Sequence, residues 1–206
     1  MATRKVLLYV AIVGFFLLEK GFAEENKMQK HLYPYVVPKT AFPNAPESVT
    51  RFLGNDIIEI LVFEINGKIR PVDTNDLKQM NLTFDEAEKI AVDHLAEKAE
   101  LGEIRMKGFD QGPHGKKFLL FGGHWLAATC ILLPDLSSDR TKKTLGTTDE
   151  ICASIPHSEA MLLFQKGDVQ YRKAMMEMIR EKEAWGERRL TEKLFTVSGK
   201  SIKPLE

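Results

Sequence analysis

No excess of either charge marks this chain: 29 lysines and arginines stand against 29 aspartates and glutamates. The cations are interleaved with acids rather than clustered, so the basic patch that neutralises phosphates is missing and nucleic acid is not an expected partner. Cysteine is scarce, with Cys130 and Cys152 alone and no CxxC pair. The five histidines (His31, His94, His114, His124 and His157) show neither a His-x-x-x-His pair nor HExxH, so the expectation is no metal site and no cofactor. A GxSxG elbow is missing too. "GFDQGPHGKK" holds glycines and lysines but not the order of a phosphate-binding loop. There is no internal repeat and no low-complexity tract.

The one long apolar run lies at the N-terminus. Arg4 and Lys5 precede "VLLYVAIVGFFLL" (Val6 to Leu18), a run of 13 residues, and "EKGFA" follows, with Gly21 and Ala23 at the small-residue positions of a cleavage site. As a helix that run spans about 20 Å, short of the roughly 30 Å hydrocarbon core. The pattern predicts a signal peptide cleaved between Ala23 and Glu24, and hence a periplasmic or secreted protein. The alternative is an N-terminal membrane anchor, since Glu19-Lys20 is a polar lead-in to the site. Cleavage removes three cations and one acid, leaving the mature chain slightly acidic.

Export would put Cys130 and Cys152 where disulfides persist. A bridge between them would close a loop of about 20 residues, for which the chain-entropy model gives about 3 kcal/mol. Its formation depends on Cα atoms lying within about 7 Å, which spacing does not determine, so the Cys130–Cys152 disulfide stays open here.

After the leader, residues 24–50 carry four prolines and read as a lead-in, although "YPYVVPK" could form a short edge strand. "DIIEILVFEI" (Asp56 to Ile65) is strand-like, Asn66-Gly67 is the preferred two-residue hairpin turn, and "KIRPV" returns with Pro71 at an edge. A short helix is expected at Thr74 to Met80. Another starts at Thr83, with Glu86 completing a capping box, and Phe84, Ala87, Ile90, Ala91, Leu95 and Ala99 keep helical spacing. His94 borders that stripe and reads as a boundary core residue. "EIRMKGF" and "KKFLLFG" are strands around a Gly/Pro turn that exposes His114. "DLSSDRTKKTLGTTDE" reads as a polar connection, "EICASIP" and "AMLLFQKGD" as strands broken at Pro156, and Asp168 to Thr191 as one long helix with Tyr171, Met175, Met178 and Trp185 on its stripe. "LFTVS" is a terminal strand.

The stretch "FGGHWLAATCILLP" (Phe121 to Pro134) places His124 and Cys130 in one apolar run. A catalytic cysteine needs a lowered pKa, a base within reach and access to substrate. "LAAT" and "ILLP" around Cys130 supply the opposite environment, so the run reads as core. The methionines of "AMMEM" (Ala174 to Met178) fit the stripe of the last helix and read as core filler. In "PHSEA", His157, Ser158 and Glu159 are adjacent and cannot form a triad from themselves, and Ser158 reads as a helix N-cap. The polar cluster available to an enzyme is His124, His157 and Glu159, if their segments meet.

"YPYVVPK", "LGNDIIEILVFEINGKIRPVDTNDLKQMNLTFDEAEKIAVDHL", "WLAATCILLPDL" and "ICASIPHSEAMLLF" together resemble a bacterial family of unknown function. Its members run from a proline-bearing strand through a hairpin and a helix to an Ala-Ala-Ser-Leu-like segment and a final strand pair. The likeness covers roughly residues 33–198 and its motifs are short and degenerate. It implies an α+β fold and no established reaction, so it carries no functional residue over. Where that segment reads Ala-Ala-Ser-Leu, this chain has Ala127-Ala128-Thr129-Cys130, which makes position 130 a packing position. The family's Asn-Leu after the helix is His94-Leu95 here, so a role for that asparagine does not carry over.

The expected organisation is a signal peptide over 1–23, a proline-containing lead-in over 24–50, an α+β domain over 51–199 and a tail over 200–206. The domain should hold a small, largely antiparallel sheet with a hairpin near 56–72 and packed helices, the last near 168–191. The expected role is non-catalytic binding of another envelope or secreted protein, and the rival is an extracytoplasmic hydrolase-like enzyme.

Overall fold

The computed structural model describes residues 28–44, 46, 49–182, 189–198 and 201–205. The expected signal peptide, its Ala23/Glu24 cleavage site and Trp185 lie outside the described residues. The fold is α+β.

The run IIEILVFEI is apolar at almost every position, which suits a strand covered on both faces. It forms β3 (Ile57–Ile65), the centre of a four-stranded antiparallel sheet. Asn66 and Gly67 take φ of 53° and 73°, the left-handed pair that a type I′ turn requires. The chain returns as β4 (Lys68–Pro71), with Pro71 on an edge strand. β1 (Leu32–Pro38) pairs along the other side of β3, and β2 (Thr50–Gly54) shares the β4 side. Leu32 and Val36 of β1 are fully buried, so within the proline-bearing lead-in "YPYVVPK" forms the edge strand that its sequence allowed, and that strand belongs to the core.

Two helices follow. α1 (Thr74–Gln79) is capped by Asp73 in a reciprocal box with Asp76. α2 (Phe84–Glu100) carries the expected box, in which Thr83 and Glu86 satisfy each other's free donors. It lays Ala87 and Ala91 on Leu32, Leu61 and Phe63.

A second antiparallel sheet has six strands in the order β10-β9-β7-β8-β6-β5. These are β5 (Arg105–Phe109), β6 (Phe118–Gly122), β7 (Ile151–His157), β8 (Ala160–Gln165), β9 (Leu194–Ser198) and β10 (Ser201–Pro204). β7 runs through Pro156 instead of stopping there, because the register shifts between Ser154 and His157 and the irregularity absorbs the proline. Ser158 therefore sits in the β7–β8 turn and not at a helix N-cap. The segment expected as a tail contributes β10.

Alternation along these strands separates two layers. Ile151, Ala153, Leu163 and Phe121 face the larger core, roofed by the 3-10 turn Ala128–Leu132 and by α3 (Asp139–Leu145). Cys152, Leu162 and Phe164 face the other way, under Tyr171, Met175 and Ile179 of α4 (Val169–Lys182). The helix expected to reach Thr191 is described only to Lys182. By Arg189 the backbone is extended, and the Leu190 N–H donates to the Pro156 carbonyl at 2.9 Å, leading the chain into β9. The first sheet is tied to the 3-10 turn that roofs the second where the Val36 N–H donates to Thr129 Oγ1 at 3.3 Å. No helix among the described residues is long and apolar enough to cross a membrane.

Candidate functional site

The 3-10 turn that carries Cys130 buries every residue from Leu126 to Cys130 completely. Burial pushes the Cys130 thiol up to about 12 and the Cys152 thiol up to about 11, so neither is a thiolate nucleophile near neutral pH. Both thiols are free. The disulfide left open by the sequence does not form: Cys130 packs in the roofed layer and Cys152 under α4, with the sheet between them.

His124, beside Trp125, accepts the Leu126 N–H on Nδ1 at 3.2 Å. Burial, and then the charge of Lys98, holds its pKa below the ordinary value. Its charged surroundings are Lys98, Glu103 and Glu64. His157 ends β7 and Glu159 lies in the β7–β8 turn, where the Glu159 N–H donates to His157 Nδ1 at 3.3 Å. The backbones do meet, with Gly122 paired to Ala160, but His124 looks toward the end of α2. His94 is half-buried, its Nδ1 2.9 Å from the Leu32 carbonyl oxygen, as a boundary residue should be. Among the described residues, no three His, Cys, Asp or Glu side chains gather into a set able to hold a metal ion.

Sequence reading passed over a more perturbed group. Glu59 points from β3 toward α2 with no exposed surface, and neither carboxylate oxygen accepts a hydrogen bond. Burial, then the charge of Glu88, pushes its carboxyl up to about 8, against the pull of Arg51. Arg51 sits opposite it on β2, with Nη1 3.8 Å from Glu59 Oε2. The same guanidinium pairs with Glu88, reaches Asp85 at 2.7 Å, and lies over the Phe84 ring. A carboxyl neutralised by burial beside a second carboxylate is an arrangement suited to proton transfer. Arg51 and Glu88 border a cleft of about 390 Å³ walled by Val92, Ile131, Leu133 and Ile202.

The larger concavity, about 690 Å³, lies between β5 and α3. Its floor is Ile104, Met106, Leu119 and Phe121, and Arg140 and Thr144 stand on its α3 side. The pleat decides which side chains enter: Met106 and Gly108 pair with Phe121 and Leu119 and share their face, whereas Arg105 and Lys107 point to the opposite face. β5 is an edge strand, exposed from Arg105 through Gly108. An unpaired strand edge beside an apolar groove is equipped to take an extended chain.

Glu59 had a signal in sequence, since it alternates with Ile57 and Leu61 and must share their buried face. The groove had none: α3 contributes one wall, and its segment lacks apolar periodicity. No family model matches the chain, and neither a curated protein nor a solved structure matches it.

Proposed function

We propose that the chain is an exported binding module that engages a protein partner of the bacterial envelope through the groove between β5 and α3. The supporting observation is the groove in which exposed Met106 lies over buried Ile104, Leu119 and Phe121, beside a strand edge that is exposed along most of its length. The balanced charge of the chain argues for a protein partner rather than nucleic acid. Export is part of the same reading, and mass spectrometry of the protein from its host should find Glu24 at the N-terminus, with an intact Met1 counting against it. The binding claim is tested by capture from envelope extract with the wild type and Met106→Asp. Met106 is 59% exposed, so the variant should fold with stability changed by no more than about 0.5 kcal/mol and lose the captured partner. A variant that captures the same partner equally well would refute the groove as the binding surface.

The enzymatic reading rests better on Glu59 and Glu88 than on His124, His157 and Glu159, because Glu88 lines a cleft and the buried Glu59 carboxyl lies behind it, with Arg51 between them. It would gain support from a hydrolytic activity that Glu59→Gln abolishes.

A further inference from the structure

We propose that the occupant of the β5 groove is an extended acidic peptide that adds as a seventh strand to the six-stranded sheet, alternating apolar residues with aspartate or glutamate. This rests on the binding-module reading and specifies the partner's chemistry and pose. Three observations point to it.

The first is the edge itself. Among the described residues, β5 has β6 as its one ladder partner. An edge strand leaves a row of N–H and C=O groups unpaired, and an extended segment satisfies them with its own backbone. β5 has neither proline nor a register shift against its neighbour; of the devices that guard an edge it carries short length and the charges of Arg105 and Lys107, which an acidic strand would neutralise. The opposite edge strand, β10, ends in Pro204.

The second is the two-sided environment that an added strand would meet. Its residues alternate between faces. On one face lies the groove, with Met106, Leu119 and Phe121 as floor. Gly108 shares that face, and a side chain there would meet only Leu119, at 3.6 Å, so the floor is open next to the strand. Apolar residues of the peptide suit this side. Glu100, Asp135 and Arg140 also border the groove and give its rim mixed charge, which the apolar residues would lie between.

The third is charge on the other face. Arg105 and Lys107 are the charged residues of β5, and both are exposed. Lys107 lies over the Phe109 ring, and Lys117 near the start of β6 pairs with Asp110 across the turn. Alternate acidic residues on a neighbouring strand would stand beside Arg105 and Lys107, where opposite charges favour each other.

The test uses the full chain and a synthetic heptapeptide alternating valine with aspartate or glutamate, with a valine–lysine peptide as control. Backbone hydrogen exchange should slow within Arg105–Phe109 by about fivefold or more when the acidic peptide is bound, since outward N–H groups gain acceptors. The lysine peptide should leave exchange there unchanged. Reversing both charges in Arg105→Glu/Lys107→Glu should weaken binding of the acidic peptide by about tenfold and flatten its dependence on salt. Absence of protection at β5, or equal protection by both peptides, would overturn the proposal. If Met106→Asp loses its captured partner while the acidic peptide gives no protection, strand addition fails and the binding module stands. If the peptide protects β5 but capture is insensitive to Met106→Asp, strand addition by an acidic peptide stands and the groove's role with that captured partner fails.

Discussion

Replacing Cys130 by valine should cost under about 1.5 kcal/mol, because the side chain is a small buried hydrophobe and the swap nearly conserves volume. Cys130→Asp should be severely destabilising, since it would put an unpaired carboxylate into the core. Thermal unfolding checks both, and a Cys130→Val protein with normal melting but no partner binding would give the thiol a chemical role. Glu59 behaves differently. Its carboxyl is pushed up to about 8 in the fold, and its ordinary value is 4.5. The folded state therefore binds the proton more tightly than the unfolded chain. This contribution, on the order of a few kcal/mol, is complete below about pH 4.5, declines as pH rises, and is almost wholly lost by pH 8. Denaturation from pH 5 to 8.5 should show Glu59→Gln losing much of that slope and exceeding the wild type in stability at the alkaline end. A wild-type profile matching the variant's would mean Glu59 is ionised throughout. Cys130 was legible because its apolar neighbours are adjacent in sequence. For Glu59 the alternation with Ile57 and Leu61 signals burial, but not its charged surroundings, which are built by Arg51 from β2 and Glu88 from α2, distant positions that only the fold brings together.

At the scale of elements, local chemistry was the readable part. The Asn66-Gly67 turn and the Thr83/Glu86 box complete their hydrogen bonds within a few residues and form as the spacing predicts. Thr83→Ala should lower stability by about 1 kcal/mol, measurable by urea titration, and no change would mean that packing of Ala87 and Ala91 alone fixes the start of α2. Elements with weak patterns were missed. α3 buries Leu145 alone and β2 buries Gly54 alone, so neither shows the apolar periodicity that marks an element. α3 does have signals in Ser138 as N-cap and in Gly146 at φ 67°, a capped segment hidden within a polar stretch. The last helix erred in the other direction, because periodicity continued past the point where the chain must straighten to pair with the end of β7.

For the whole molecule, the α+β class follows from interleaved strand and helix patterns, but the arrangement as two sheets does not. The edge strand allowed for "YPYVVPK" forms as β1, where an edge position accommodates the prolines; what the spacing does not show is that it leaves Leu32 and Val36 for the core. The groove is a product of this arrangement, since α3 follows β6 and the 3-10 turn in the chain and comes back over the sheet beside β5, the neighbour of β6. The central claim is that this groove takes a protein partner. Photo-crosslinking in the native host tests it most directly, with the reactive residue placed at Met106 in the groove or at exposed Lys173 on α4. The account predicts one crosslinked partner from position 106, joined through a segment alternating apolar and acidic residues, and none from position 173. Equal crosslinking from the two positions, or none from position 106, would contradict it.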